Sequence, residues 1–399
     1  MKTVFWLILG LMVLPVVAMG QTALYNTTDL AGGAASYDNG DTVVLIGTGF
    51  GDKGTAKPYL WADFEEGQLA PHTSLSIHQD FEITDTWMTH YSTGGLNNSG
   101  CAKGDGTHPV TNVNFNLGFI IDEGEPYLNE YEKYYYQNYK AYYSHDHEYT
   151  SNTQAGFKVF AFQATDESRV LVNSSTSTTS LFNVMYPPDD GGWAQFGMTP
   201  RAPAQQWFDR EYIFKMNSAA TADGNGDGEI HVYTDGDLVF HCPPEGYWVG
   251  YAYRYAKFAG TSGGVHHVDR VYIGKSNHQS TWDAGLGDWQ DANVTYDNVY
   301  VDTTAARVII ANSNVLADAD LREPQIPIYW AADGDSIQVV VNTGEHSEDD
   351  WAYMYVIAPG AADTSGAYML QIGGTGYGGG DDPPESVAPC DSVKAWPAQ

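Results

Sequence analysis

The chain is written in short runs of β-branched and aromatic residues, separated by Gly and Asp. Thr42-Val43-Val44-Leu45-Ile46-Gly47 leads into Gly49-Phe50-Gly51. Phe157 to Phe162, Glu211 to Lys215, Glu229 to Tyr233, Val249 to Phe258 and Val268 to Ile273 repeat the pattern. Ser336 to Val341, Ala352 to Ile357 and Tyr368 to Ile372 continue it. No segment longer than about three turns spaces its apolar residues three to four apart, as an amphipathic helix must. Many strands at short spacing with glycine turns predict an all-β sandwich of jelly-roll type.

Composition shows that such a fold has material for a core. Hydrophobic residues make up 43% of the 399 and aromatics 14%. Eighteen Lys and Arg against 50 Asp and Glu leave a formal net charge of −32. A surface that acidic repels polyanions, so neither nucleic acid nor an anionic lipid surface is an expected partner.

Lys2, the apolar run Val4 to Val17 and the small residues Ala18-Met19-Gly20 read as a secretory signal peptide cut after Gly20. No later segment is apolar enough to insert in a membrane, so the expected location is secreted, extracellular or on the cell surface. Composition shifts divide the rest into a partial β unit at 21–60, a large sandwich at 61–312, a small β unit at 313–373 and a Gly/Pro-rich tail at 374–399. The three cysteines are odd in number and no C-x-x-C occurs. That leaves open a Cys101–Cys242 bridge, or a bridge from Cys390 to either or to another chain.

Two resemblances follow from particular residues. Asp41 to Gly51 resembles the opening strands of IPT/TIG domains, which are immunoglobulin-like. Asp333 to Ile372 looks like a second such unit. Between them, Trp61-Ala-Asp-Phe-Glu-Glu-Gly67, Gly156 to Phe160, Trp207 to Tyr212, Asp227 to Gly236 and Tyr296 to Asp302 come in an order that resembles the concanavalin A-like lectin/glucanase jelly roll. That fold is also used by secreted polysaccharide lyases, so the resemblance implies a polysaccharide partner without deciding between binder and enzyme.

The residues weigh against some chemistry. The Glu-x-Asp-x-x-Glu strand of retaining glucanases is missing. A lyase needs a group that neutralises a uronate carboxylate and a Tyr or His that moves the C5 proton. Lys158, His231, Tyr233, Tyr253 and Arg254 are the candidates, and alternation puts His231 and Tyr233 on one strand face. Recognition without catalysis needs only rings that stack on sugar C–H faces. The candidates for that are Tyr134, Tyr136, Trp193, Trp248 and Tyr253. The same rings also suit a sandwich core.

Asp223, Asn225, Asp227 and Glu229 follow the first half of an EF-hand calcium loop, with Gly228 at its sixth position. Thr234 stands where the bidentate Glu belongs, so an acidic hairpin turn explains the segment as well as bound calcium does. The leading expectation is a secreted carbohydrate-binding protein, calcium-assisted if that loop is occupied. A lyase or hydrolase of the same fold is the alternative, and a structural or adhesive extracellular protein the third.

Overall fold

The computed structural model describes residues 23–29, 36–81, 83–84, 88–104, 117–120, 134–143, 158–163, 169–174, 180–185, 193–198, 205–215, 229–242, 270–273, 280–283, 288–291, 294–359 and 364–373. The regular structure among them is strand, apart from two three-residue 3-10 turns at Leu96–Asn98 and Leu316–Asp318. No helix among the described residues is long and apolar enough to cross a membrane. The chain is an all-β protein built from sandwiches.

An eight-stranded antiparallel sheet forms the centre. Its order is Asp237–Cys242, Glu229–Thr234, Trp207–Lys215, Tyr134–Tyr143, Val294–Asp302, Cys101–Gly104 and Met88–Tyr91. Leu60–Ala62 pairs with the second half of Val294–Asp302, while Cys101–Gly104 pairs with the first half. A β-bulge between Asp297 and Tyr300 separates the two halves.

The central strands alternate without exposing either face. Tyr135, Tyr139, Tyr143, Phe208, Tyr212, Phe214, Val232 and Tyr296 point one way and are all buried. Burying an aromatic or large aliphatic side chain contributes roughly 1.5–3 kcal/mol, so this face is the apolar core. A second antiparallel sheet has seven strands. It runs Trp193–Met198, Ser180–Met185, Arg169–Ser174, Lys158–Gln163, Arg270–Ile273, Leu117–Ile120 and Ile83–Thr84. Its Leu117, Val271 and Ile273 are fully buried.

The N- and C-terminal segments, expected as separate units, pair in the same two sheets. One sheet orders Ala23–Asp29, Thr42–Thr48, Ser336–Val340 and Ile326–Trp330. The other orders Ser36–Tyr37, Tyr368–Ile372, Trp351–Ile357, Arg307–Ala311 and Arg322–Pro324. Tyr37, Val43, Leu45 and Phe50 share one core with Val308, Ile310, Ile337, Val339, Met354 and Leu370. The indole of Trp330 donates to the Gly51 carbonyl at 2.8 Å and ties the halves again. The strand Arg307–Ala311, placed by composition in the large sandwich, pairs with Trp351–Ile357 in this terminal sandwich. The large sandwich is therefore an insertion within it.

Candidate functional site

The other face of the central sheet is polar, and its register sets side chains in rows across the strands. Lys103, Thr295, Tyr142 and Trp207 form the first row. Asp297, Lys140 and Asp209 form the second. Tyr300, Asn138, Glu211 and Tyr233 form the third. Asp302, Tyr136, Ile213, His231 and His241 form the fourth.

The terminal sandwich covers rows two and three and the Asp302–Tyr136 end of row four, while His241 at the other end is exposed. The Lys140 ammonium, fully buried, lies 2.9 Å from Glu323, 3.3 Å from Glu345 and 3.8 Å from Asp209. Burial alone would lower its pKa; the three carboxylates overcome that and hold it above its ordinary value. One cation cannot serve three acids. Burial, with Glu323 and Glu211 nearby, pushes Asp209 up to about 8 despite the Lys140 charge. Asn138 donates to the Asp209 carboxyl at 2.7 Å in either state.

In the third row Glu211 faces two arginines of the terminal sandwich, Arg307 at 3.2 Å and Arg322 at 3.5 Å. Arg307 also lies over the Tyr136 ring at 4.2 Å, and Arg322 over Tyr233 at 5.0 Å. In the fourth row Asp302 accepts Lys53 at 2.6 Å and the Tyr300 hydroxyl at 3.0 Å. Trp61, Tyr136, Tyr300 and Ile326 add an apolar contact across the junction. These ions meet their counter-ions within the chain, so the centre of the face is docked structure and not an open groove.

Row one stays open. Tyr142 and Trp207 are half-buried, with ring centroids 5.9 Å apart and planes tilted by 53°. Lys103 stands 5.4 Å from the ring of Tyr91, which is 37% exposed. With Thr93, Gly94 and Thr295 they bound a depression of about 240 Å³. Two rings, a hydroxyl and one ammonium on a rigid sheet can hold a sugar ring by its C–H face while bonding its oxygens. Cys101 at the floor is buried and free, so the Cys101–Cys242 bridge left open by the sequence does not form. Burial pushes its thiol up to about 11, which keeps it unreactive.

No protein-family model and no curated protein matches the chain. Among solved structures it is similar to an endo-β-1,4-glucuronan lyase from the fungus Trichoderma reesei, at 15% identity and TM-score 0.36, over 58% of this chain and 93% of that one. A marine PL-14 alginate lyase from Aplysia kurodai gives 10% identity and TM-score 0.36, over 62% of this chain and 97% of that one. The alginate lyase Aly36B, in complex with an alginate trisaccharide, gives 13% and 0.34 over 62% and 99%. Likeness at that level leaves the chemistry of this chain to its own residues.

The residues expected from sequence fall in different places. His231 and Tyr233 do share a face, with the Tyr233 hydroxyl 3.5 Å from His231 Nδ1. The His231 ring also lies against His241, centroids 4.3 Å apart. Tyr233 is only 3% exposed beneath Arg322, and burial holds its phenol above the ordinary range. Tyr136 is 1% exposed beneath Arg307, in a packing position. Tyr134 is half-buried at the far end of the same strand, opposite Lys215. Lys158, Trp193 and Glu229 lie on strands, Glu229 opposite Lys215. Tyr253, Arg254, Trp248, Asp223, Asn225 and Asp227 lie outside the described residues. Among the described residues no three His, Cys, Asp or Glu gather as a metal site. The row Lys103–Thr295–Tyr142–Trp207 escapes a reading of the sequence because it joins four strands by register. Its one local signal is that Tyr142 lies an even number of residues from Tyr134 and Tyr136.

Proposed function

We propose that this chain is an exported polysaccharide-binding protein that holds a glycan segment across the open row of the central sheet. The observation that carries the reading is the Tyr142–Trp207 pair with Lys103 and Thr295 in one register row. Aromatic faces supply stacking, Thr295 a hydroxyl and Lys103 a charge-assisted donor. The strands fix all four, so little side-chain freedom is lost on binding. Calcium at the Asp223 loop belongs to the same proposal and is tested by titration against a chelated sample.

A second reading, polysaccharide lyase, rests on the His231–Tyr233 pair and agrees with the activities of the lyases named above. A tyrosine acting as base at the sugar C5 must approach the substrate and lose its proton readily. Tyr233 is covered and its phenol is held protonated, which favours binding over elimination.

One experiment separates the two. Wild type and Trp207→Ala are incubated with a panel of neutral and uronic polysaccharides, and both bound protein and absorbance from unsaturated ends are read. Retention by wild type, weakened in Trp207→Ala and without new absorbance, supports the binder. New absorbance that His231→Ala abolishes establishes the lyase. A protein retained by no glycan in the panel refutes both.

A further inference from the structure

A larger cavity, about 630 Å³, lies where the two sandwiches meet. The loop 93–101 divides it from the open row, with Thr93 and Gly94 facing the row and Leu96 to Ser99 facing the cavity. One wall belongs to the large sandwich, with Asp63, Glu65, His72, Asn98 and Asn298. The other belongs to the terminal sandwich, with Asn39, Asn342, Thr343 and Gly344. The floor is apolar, made by Trp61, Leu75, Leu96, Ile326 and Val340.

The walls are built and not merely hollow. Asn298 sits in the β-bulge of its strand at φ 47°, a left-handed conformation. Bulges of this kind re-aim a side chain beside a site. Here the bulge brings Asn298 to the cavity lining, and no described residue bonds its side-chain amide. Asp297 fixes the bulge and the opposite loop together. Its carboxyl accepts the backbone N–H of Asn298 at 2.8 Å, the backbone N–H of Leu96 at 2.9 Å and the Ser99 hydroxyl at 2.7 Å. Asn97 and Asn98 are left-handed too, at φ 52° and 64°. The Asn97 side chain donates to the Gly344 carbonyl at 3.0 Å and joins the two walls. Three of the seven non-glycine residues with positive φ among the described residues thus line this one cavity, a concentration typical of ligand clamps.

The lining contains Asp63 and Glu65 but neither Lys nor Arg. An anionic ligand would be repelled there. Amides both donate and accept, so they match hydroxyl groups, and the apolar floor matches a ring face. We propose that this junction cavity is a second binding site, for a neutral hydroxyl-rich ligand of oligosaccharide type, and that its occupation ties the two sandwiches together. It does not depend on the open row, whose Lys103 gives that row a different charge preference.

The test is thermal unfolding and calorimetry of the full chain with neutral hexa-oligosaccharides of glucose, mannose and galactose, with an oligouronate of the same length as comparison. Asn298→Gly removes the amide and keeps the left-handed backbone accessible, so the variant is expected to fold. The expected result is that at least one neutral oligosaccharide raises the melting temperature of wild type and of Trp207→Ala, that Asn298→Gly weakens its binding at least tenfold, and that the oligouronate does neither. Binding that Trp207→Ala abolishes and Asn298→Gly leaves intact would assign the ligand to the open row and overturn this site. No shift with any neutral oligosaccharide, or a stronger shift with the oligouronate, overturns it as well.

Discussion

Lys140 and Glu323 meet at 2.9 Å across the junction of the two sandwiches, each fully buried. One comes from the middle strand of the central sheet and the other from a short strand of the terminal sandwich. Removing one member of such a pair leaves the other as an uncompensated buried charge, at a cost of about 3–5 kcal/mol. Lys140→Met is expected to lose stability on that scale in denaturant titration. Lys140→Met combined with Glu323→Gln should recover part of it, because the orphaned carboxylate is gone. A double variant no more stable than the single one would show that the loss comes from packing.

The surplus of acid around Lys140 makes the junction pH-dependent. Asp209 is pushed up to about 8 when folded, from an ordinary carboxylate value near 3.8. A raised acid binds its proton more tightly in the folded state, so its contribution is present at low pH and is lost as pH rises through about 8. Melting temperature is therefore expected to fall between about pH 4 and pH 8 and to level off above that. Asp209→Asn, which mimics the protonated form, should flatten that slope. An unchanged slope in the variant would place its origin in other groups.

Gly236, in the turn between Glu229–Thr234 and Asp237–Cys242, adopts φ 76°. A Cβ there would overlap the Ala319 carbonyl oxygen of the terminal sandwich. Gly236→Ala combines backbone strain with that clash and is expected to destabilise by on the order of 1–3 kcal/mol. Limited proteolysis at the junction should speed up with it. Equal protection in variant and wild type would show that this turn can draw back freely.

Tyr142→Ala and Trp207→Ala should each weaken binding to the retained glycan by roughly tenfold, about 1.4 kcal/mol, since each removes one stacking face. Their rings contact each other, so the two losses should not add in the double variant. Calorimetry of all three proteins reads this directly. Strictly additive losses would mean that the rings act at separate places.

Local pattern revealed much of this fold. Tyr368–Ile372 is the strand its residues suggest, and Ser336–Val340 differs by one residue. The central strand Tyr134–Tyr143 is harder to read, because burial on both faces erases the alternation that marks a strand. The adjacency of His231 and Tyr233 follows from strand geometry alone, but the covering of Tyr233 by Arg322 does not, since that residue arrives from another unit of the chain. The joining of the two end segments was likewise invisible. It rests on pairings such as Thr42–Thr48 with Ser336–Val340, almost 300 residues apart, which no local window contains.

The insertion has a mechanical consequence. Ser36–Tyr37 and Gln371–Ile372 run parallel, from opposite sides of the chain, and Ser36 and Tyr37 also bond Gly373 at 2.8 and 2.9 Å. A tension applied between the two ends would first peel Ala23–Asp29 from its antiparallel partner, bond by bond. It would then meet the parallel patch in shear, where the bonds must yield together. Until that clasp parts, the inserted sandwich, with its open row of rings, carries no load.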